Sequence, residues 1–162
     1  MKPIVVHVSA EVSPFHKSGG LGDVLSGLPE ALARAGLDVR VVTPRYPDAT
    51  NLASIGGEKS LKPWPVPIDV SLGGNAMEAR VFEARTHGGA VTTYFVDAPH
   101  LSRGALYGYG DDPYRFAILS RAASPRSSPS TTSRSKARPR RRSRRTSTCR
   151  GTPTTRRSRA AA

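Results

Sequence analysis

The apolar residues near the start of the chain follow the order strand, turn, helix, strand. Residues 4–9 are largely β-branched and apolar on both faces, which predicts a central strand of a parallel sheet. After the next turn, apolar residues recur at spacings of three and four, which predicts one face of a helix. They are Leu21, Val24, Leu25, Leu28 and Leu32. Pro29 is expected to kink or divide this helix, and Gly36 is expected to end it. Residues 39–43 predict a second strand and complete a right-handed parallel β-α-β unit.

Three further apolar runs, at residues 68–72, 77–84 and 91–96, predict more strands. Residues 87–89, with the sequence His-Gly-Gly, separate the last two runs and predict a hairpin. The intervening residues 46–62 carry several turn formers and weak periodicity, so they are predicted to form a loop.

A second helix is predicted over residues 113–123. Asp111 or Asp112 would be its N-cap, because an aspartate just before a proline is typical of a helix start. Its apolar stripe would consist of Phe116, Leu119 and Ala123. Trp64 has a proline on each side, which excludes a central strand there and favours a packing role for its ring.

The charge of the chain is divided sharply by position. The 162 residues include 25 Lys and Arg against 12 Asp and Glu, a net charge of +13. Residues 1–121 hold 12 basic and 12 acidic residues, so they are neutral, and residues 122–162 hold 13 basic residues and no acid. Every Val, Ile, Leu, Met, Phe, Tyr and Trp also precedes residue 122. The composition excludes a uniformly basic domain and predicts a disordered tail.

Cysteine content and hydropathy narrow the class of protein further. Cys149 is the only cysteine, which excludes an intrachain disulfide and fits a reducing compartment. With no second cysteine or nearby histidine, a structural zinc site is not expected. No apolar run is long enough to span a membrane, so a cytoplasmic protein without membrane segments is predicted.

The stretch Lys-Ser-Gly-Gly-Leu-Gly-Asp-Val at residues 17–24 is the best candidate for chemistry. It lies between a predicted strand and the start of a predicted helix. Glycines there leave backbone N–H groups accessible, and the helix dipole favours an anion such as phosphate. Lys17 could add a positive charge, and Asp23 suits either the dipole or a sugar hydroxyl. The alternative is a tight turn that binds no ligand, because glycine-rich loops are a weak signal.

Several motifs together resemble the start of bacterial glycogen synthases and plant starch synthases. They occupy, in order and at near-family spacing, residues 7–15, 17–24, 27–29, 43–47, 96–100, 106–111 and 115–117. The resemblance implies an α/β fold, the Rossmann-like N-terminal domain of a GT-B glycosyltransferase. The family transfers glucose from ADP-glucose to the non-reducing end of an α-1,4-glucan with retention, and it requires no metal or other cofactor.

The resemblance also implies roles for individual residues. Lys17 would contact the phosphates of the nucleotide sugar, Gly19 and Gly20 would offer backbone N–H groups to them, and Asp23 would be a polar contact near the donor. Glu11 lies where the family keeps an acidic active-site residue, and Tyr107 lies where it keeps a tyrosine of the cleft. Glu11 could instead be a solvated loop acid or a cap, and Tyr107 could merely pack. His7 is expected to be a core histidine with satisfied hydrogen bonds, and His100 to organise a turn.

The resemblance covers residues 4–123 and then stops, although the family continues to a His-Asp-Trp motif with a catalytic histidine. The Arg, Ser, Thr, Pro and Ala of the tail have GC-rich codons. Read one base earlier, residues 152–155 can encode His-Ala-His-Asp and residues 146–149 Asp-Val-Asp-Val. We therefore hypothesise that residues from about 124 are an out-of-frame translation. The alternative is a genuine basic tail that binds nucleic acid or other polyanions non-specifically, although it has no aromatic residues to stack on bases.

The sequence thus predicts a partial glycogen or starch synthase domain at residues 1–123, followed by a low-complexity tail at 124–162. Without the catalytic histidine and the second wall of the cleft, this chain is expected to be inactive. The incomplete sheet is expected to leave an unpaired edge and exposed apolar faces. A second hypothesis, from a different class, is a non-catalytic module that holds a glucan or a nucleotide sugar.

Overall fold

The structure, a computed structural model, describes residues 1–47 and 50–124. The strands are Ile4–Val8 (β1), Asp38–Pro44 (β2), Lys62–Pro63 (β3), Ile68–Leu72 (β4), Asn75–Thr86 (β5) and Val91–Asp97 (β6), and the helices are Gly20–Arg34 (α1) and Asp112–Ala122 (α2). The tail predicted at residues 124–162 lies outside the described residues apart from Ser124, and so does Cys149.

The strands form one mixed sheet in the order β1-β2-β6-β5-β3, and β4 pairs with β5. β1, β2 and β6 are parallel, which confirms the predicted β-α-β unit. β5 runs antiparallel to β6 and β4, so the predicted hairpin at residues 87–89 is also confirmed. A second tight turn, at Gly73 and Gly74, joins β4 to β5. Both glycines have positive φ angles, of 60° and 82°, which side chains rarely tolerate.

Apolar side chains cover both faces of the central strands. On one face, Leu25 of α1 packs with Val39 and Val41 of β2 and Phe95 of β6. On the other face, Ile118 and Leu119 of α2 pack with Val42 and Val96, which directly follow Val41 and Phe95 in the sequence. This alternation follows from the two-residue period of a strand. Both helices therefore pack on the sheet, one on each side, and the loops that precede them meet at the ends of the parallel strands.

β1 lies at the edge of the sheet, so the prediction of a central strand is wrong for the residues that the structure describes. Val5 and His7 are half-buried beneath the α1 side, but Ile4, Val6 and Val8 are 54%, 49% and 44% exposed. The apolar composition on both faces predicts burial, but burial requires neighbours on both sides of the strand. Among the described residues, only β2 pairs with β1.

α1 corrects two further predictions. The helix runs without division from Gly20 to Arg34 with Pro29 buried inside it, so the expected division is wrong, and the expected kink stays a prediction. A proline removes one helical hydrogen bond, and the packing of this helix face against β2 and β6 maintains the helix across it. Only part of the predicted apolar stripe is buried. Leu25 is buried and Leu32 packs on the core, whereas Leu21, Val24 and Leu28 are exposed.

α2 begins one residue earlier than predicted, at Asp112. Asp111 occupies the N-cap position, but its side chain makes no cap hydrogen bond, because it pairs with Arg103. The predicted stripe is also wrong in part, since the buried side chains of α2 are Arg115, Ile118 and Leu119. Phe116 and Ala123 are only half-buried. Neither described helix is long and apolar enough to cross a membrane.

Candidate functional site

Glu11 is the centre of the loop between β1 and α1. Its side chain is buried, with the residue only 3% exposed. Oε2 accepts hydrogen bonds from the backbone N–H groups of Ser18 at 2.7 Å and Gly19 at 3.1 Å, and Oε1 accepts one from the Ser18 hydroxyl at 2.8 Å. The hydroxyl of Ser9 donates to the Glu11 carbonyl at 2.7 Å and fixes the turn after β1. Glu11 thus ties the end of the first strand to the start of the first helix.

Tyr107 reaches the same carboxylate from a distant part of the sequence, and the interaction of its hydroxyl with Glu11 shifts the pKa of both groups. Burial raises the pKa of Glu11, but the hydrogen bonds from Ser18, Tyr107 and Gly19 outweigh it and lower the pKa to about 2. Burial and the negative charge of Glu11 both raise the pKa of Tyr107. Glu11 is therefore an anion, and Tyr107 a neutral hydrogen-bond donor, over the whole physiological range of pH.

Lys17 and Asp23, two of the predicted site residues, form an ion pair of 2.6 Å between Nζ and Oδ1. Their side chains are 48% and 59% exposed, so both groups remain accessible to a ligand. This pair lies directly outside the glycine-rich turn. The two residues are close in the sequence, but the sequence did not predict that they neutralise each other in the absence of a ligand.

The glycines of the loop differ in what surrounds them. A Cβ atom at Gly19 or Gly20 would meet no atom within 4 Å, so the loop faces open space there. A Cβ at Gly22 would lie 2.5 Å from the Cβ of Lys17, which no real structure tolerates. Gly22 therefore allows the loop to fold closely onto the first turn of α1. The carbonyl of Gly22 also accepts a hydrogen bond from the Ser13 N–H at 3.1 Å.

His16 anchors the rear of the loop to β2. Its Nε2 lies 2.8 Å from Oγ1 of Thr43, and its ring packs edge-on against Tyr46 with centroids 4.7 Å apart. Burial lowers the pKa of His16 to about 4, despite the nearby negative charge of Glu11. Tyr46 in turn donates its hydroxyl to the carbonyl of Ala10 at 3.1 Å. No sequence pattern indicates this support, because Thr43 and Tyr46 lie about 30 residues further along the chain.

Arg115 organises the loop that carries Tyr107. Its guanidinium is fully buried, pairs with Asp112 in the first turn of α2, and donates to the carbonyls of His100 and Leu106 at 2.8 and 3.2 Å. The guanidinium also lies 4.6 Å from the centre of the Tyr109 ring, a cation-π contact. The structural importance of Arg115 was not predicted from the sequence, because a charged residue is expected on the exposed face of a helix.

A cavity of about 380 Å³ opens between the start of α1 and α2, beside the loop that carries Tyr107. His7, Ser9, Leu21, Tyr107 and Ser120 are among the residues that line it. The Nε2 atom of His7 is buried and has no hydrogen-bond partner among the residues that the structure describes. The prediction that His7 is a core histidine with satisfied hydrogen bonds is therefore wrong, because this nitrogen has no partner in the described part of the chain.

The remaining predicted residues lie outside this cluster. His100 occupies a turn after β6 with a φ of 69°, and its Nδ1 lies 3.1 Å from Asp111, as its predicted role in that turn requires. Trp64 is 44% exposed and packs edge-on against Tyr94 with ring centroids 5.6 Å apart. Within residues 1–47 and 50–124, no group of His, Cys, Asp and Glu side chains could hold a metal ion.

The loop as a whole has a buried anionic centre, Glu11, and an exposed exterior that carries the Lys17–Asp23 ion pair. Glu11 binds the N–H groups of Ser18 and Gly19, whereas Lys17 is half exposed and a Cβ atom at Gly20 would meet no other atom within 4 Å. A helix N-terminus with accessible N–H groups and an adjacent lysine favours the binding of a phosphate or another anion. The start of α1 is therefore the candidate anion site, and Glu11 occupies a structural position next to it.

Comparisons with known proteins show which family the chain is similar to. The family model described as the starch synthase catalytic domain matches residues 4–126. A glycogen synthase of Clostridium botulinum is 41% identical over 119 residues, which are 73% of this chain and 23% of that protein. One from Anaeromyxobacter dehalogenans is 38% identical over 130 residues, 74% of this chain and 24% of the relative.

A solved structure with a similar fold also comes from a starch synthase. The catalytic domain of starch synthase IV from Arabidopsis thaliana, bound to ADP and acarbose, superposes with a TM-score of 0.67 at 31% identity. The match covers 76% of this chain and 24% of that one, so the chain spans about a quarter of the length of these relatives. The family match ends near the point where the composition changes. The chain belongs to the family of starch synthase catalytic domains, which includes the bacterial glycogen synthases.

Proposed function

We propose that this chain is the N-terminal part of a glycogen or starch synthase. The whole enzyme would transfer glucose from ADP-glucose to the non-reducing end of an α-1,4-glucan, with retention of configuration. The observation that supports this proposal most directly is the glycine-rich loop at residues 17–24, which has open space at Gly19 and Gly20, an exposed Lys17 and a place within the family match. We further propose a cytoplasmic location, which fits the single cysteine.

In this proposal the donor phosphates lie against the outer side of the loop. Lys17 provides a positive charge, and Gly20 provides a backbone N–H at the start of α1. Gly19 has a different role from Gly20, because the N–H of Gly19 already donates a hydrogen bond to Glu11. Its lack of a side chain keeps the approach open. Asp23 would release Lys17 toward the phosphates and turn to a hydroxyl of the ligand. Preorganised donors of this kind stabilise the negative charge that develops on a departing nucleoside diphosphate.

Glu11 and Tyr107 would act as positioning residues in this reaction. The Glu11 carboxylate is occupied by three hydrogen bonds from Ser18 and Gly19 and by Tyr107. Because its pKa is about 2, it cannot act as a general acid near neutral pH. Its effect on catalysis would instead come through the shape of the loop that holds the phosphates.

We propose that the 162-residue chain, tested by itself, is inactive. It spans less than a quarter of its relatives, and an enzyme of two facing domains requires both walls of its cleft to exclude water and orient two substrates. The partner proposed for residues 122–162 is any polyanion, bound non-specifically through 13 basic residues.

Two measurements test this proposal. Chemical shifts of the backbone amides are recorded while ADP or ADP-glucose is added to millimolar concentration. We expect shifts at residues 18–24, smaller shifts after Lys17→Ala, and unchanged shifts after Lys59→Ala, which removes an exposed lysine outside the loop. An absence of shifts in the loop would contradict the phosphate site.

The second measurement is release of ADP from ADP-glucose in the presence of glycogen. No release above background is expected. Tight binding of ADP-glucose or of maltooligosaccharides without turnover, seen by calorimetry, would favour the non-catalytic binding module instead.

A further inference from the structure

The side chain of Lys17 is fixed at its base and free at its end. Its Cβ lies so close to the first turn of α1 that a Cβ atom at Gly22 would approach it to 2.5 Å. The preceding residue, His16, is buried, and its backbone N–H and C=O groups both pair with Val12, at 3.0 and 2.9 Å. The first atoms of Lys17 therefore stay beside α1, whereas its half-exposed side chain carries an ammonium group that can exchange partners.

The partner of this ammonium group is the carboxylate of Asp23, in the first turn of α1, with Nζ and Oδ1 2.6 Å apart. Lys17 is the only lysine or arginine in residues 3–33. Within residues 1–47 and 50–124, neither charged group has a second ion-pair or hydrogen-bond partner. Because both side chains are about half exposed, the pair contributes little to stability and exchanges readily with other partners.

The backbone near Lys17 cannot replace it as a partner for an anion. The N–H groups of Ser18 and Gly19 both donate to the carboxylate of Glu11, which is buried and negatively charged. The donors left for an anion are the N–H groups of the first turn of α1, and that turn also carries the negative charge of Asp23. Lys17 is thus the positive charge that the loop offers, and Asp23 neutralises it.

An anion without hydroxyl groups gains little from this arrangement. When its phosphate takes the ammonium group, the carboxylate of Asp23 loses its partner and lies beside a second negative charge, which repels it. A ligand that also carries hydroxyl groups changes this balance, because a hydroxyl donates a charge-assisted hydrogen bond to the carboxylate. Both members of the ion pair then have new partners.

We propose that the Lys17–Asp23 pair makes the loop select phosphate esters of sugars and nucleosides over inorganic anions such as pyrophosphate. This inference rests on the proposed function, because it requires that phosphates bind at the loop. Asp23 is then a specificity residue. Through the ion pair it lowers the affinity of the loop for every anion, and it restores that affinity only for a ligand that offers a hydroxyl group.

Titration of the full chain with two ligands tests the proposal, with the amide signals of residues 18–24 as the readout. ADP-glucose carries phosphates and hydroxyl groups, whereas inorganic pyrophosphate carries phosphates alone. Asp23→Asn should lower the dissociation constant of pyrophosphate about two- to fivefold, because it releases Lys17. It should raise the dissociation constant of ADP-glucose about threefold or more, because a neutral amide accepts a weaker hydrogen bond from a hydroxyl than a carboxylate does.

Two controls separate the ion pair from general effects of charge. Glu30→Gln removes an exposed carboxylate from the same helix, and it should change both dissociation constants less than about twofold. In a Lys17→Ala background, Asp23→Asn should strengthen pyrophosphate binding less than it does in the parent chain, because no ion pair is left to release. Circular dichroism of each variant checks that the fold is retained, as expected for substitutions of exposed side chains.

The outcomes distinguish this inference from the proposed function. Opposite changes of the two dissociation constants, with a smaller gain for pyrophosphate when Lys17 is absent, would support selection by Asp23. If both ligands shift the loop signals but Asp23→Asn does not move the two constants in opposite directions, or acts equally without Lys17, the phosphate site stands and the selection is wrong. If neither ligand shifts these signals in the parent chain, the phosphate site and the selection are both wrong.

Discussion

Glu11→Gln removes the negative charge at the centre of the β1–α1 loop with almost no change in side-chain size. In the folded chain the pKa of Glu11 falls from its ordinary value of 4.5 to about 2. A tenfold change in proton affinity corresponds to about 1.4 kcal/mol. The difference in pKa therefore implies that the charged carboxylate contributes roughly 3 kcal/mol to the free energy of unfolding at pH 7. The glutamine should lose most of this contribution, since its amide provides one acceptor atom instead of two.

The sign of the pH dependence follows from the direction of the pKa shift. Because the pKa is lower in the folded chain, the stabilisation is complete above pH 4.5 and is lost as the pH falls toward 2. The difference in unfolding free energy between the parent and Glu11→Gln should thus shrink from roughly 3 kcal/mol at pH 7 to roughly half of that at pH 3.

Urea unfolding, followed by the fluorescence of Trp64 and by circular dichroism, measures these free energies at both pH values. Glu30→Gln is the matched control, because Glu30 forms an exposed ion pair with Arg34 on the surface of α1. Such a pair contributes about 0.3–0.5 kcal/mol. If Glu11→Gln costs no more than Glu30→Gln, or if its cost is the same at pH 7 and pH 3, the reasoning about the buried carboxylate is refuted.

Three further predictions concern backbone packing, the buried arginine and the tail. Gly22→Ala should destabilise the chain by about 1–3 kcal/mol, because its Cβ would clash with Lys17. Gly27→Ala, in the same helix but with open space around it, should stabilise it by about 0.5–1 kcal/mol, and urea unfolding of both variants compares them. Arg115→Lys should cost about 3 kcal/mol and broaden the amide signals of residues 100–110, because lysine cannot reproduce the guanidinium contacts, whereas Arg34→Lys should have little effect. Resequencing the gene around codons 120–165 should reveal a one-base displacement of the reading frame, with a His-Asp motif encoded in the adjacent frame. The frameshift hypothesis would be contradicted if the frame that encodes residues 124–162 is intact and no adjacent frame encodes that motif.

The sequence by itself determined the elements and the family. The β-branched runs, the three-to-four spacing of α1 and the His-Gly-Gly hairpin are local signals, and each element that they predict is present. The motif at residues 17–24 also marked the candidate site, because glycines between a strand and a helix leave backbone N–H groups accessible at the helix start. The change in composition at residue 122 is likewise a property of the sequence, and it coincides with the end of the family match near residue 126.

The tertiary structure decided which of these elements are covered and which groups meet. Glu11 and Tyr107 are 96 positions apart, and Arg115 supports Tyr107 through contacts with carbonyl groups that no sequence pattern encodes. The apolar stripe of α1 and the apolar residues on both faces of β1 predicted that these side chains are buried. Whether a side chain is buried depends, however, on neighbouring elements that only the packed sheet defines. A side chain's hydrophobicity is local, whereas its partners depend on distant segments of the chain, and for this reason the edge position of β1 could not be predicted from its own residues.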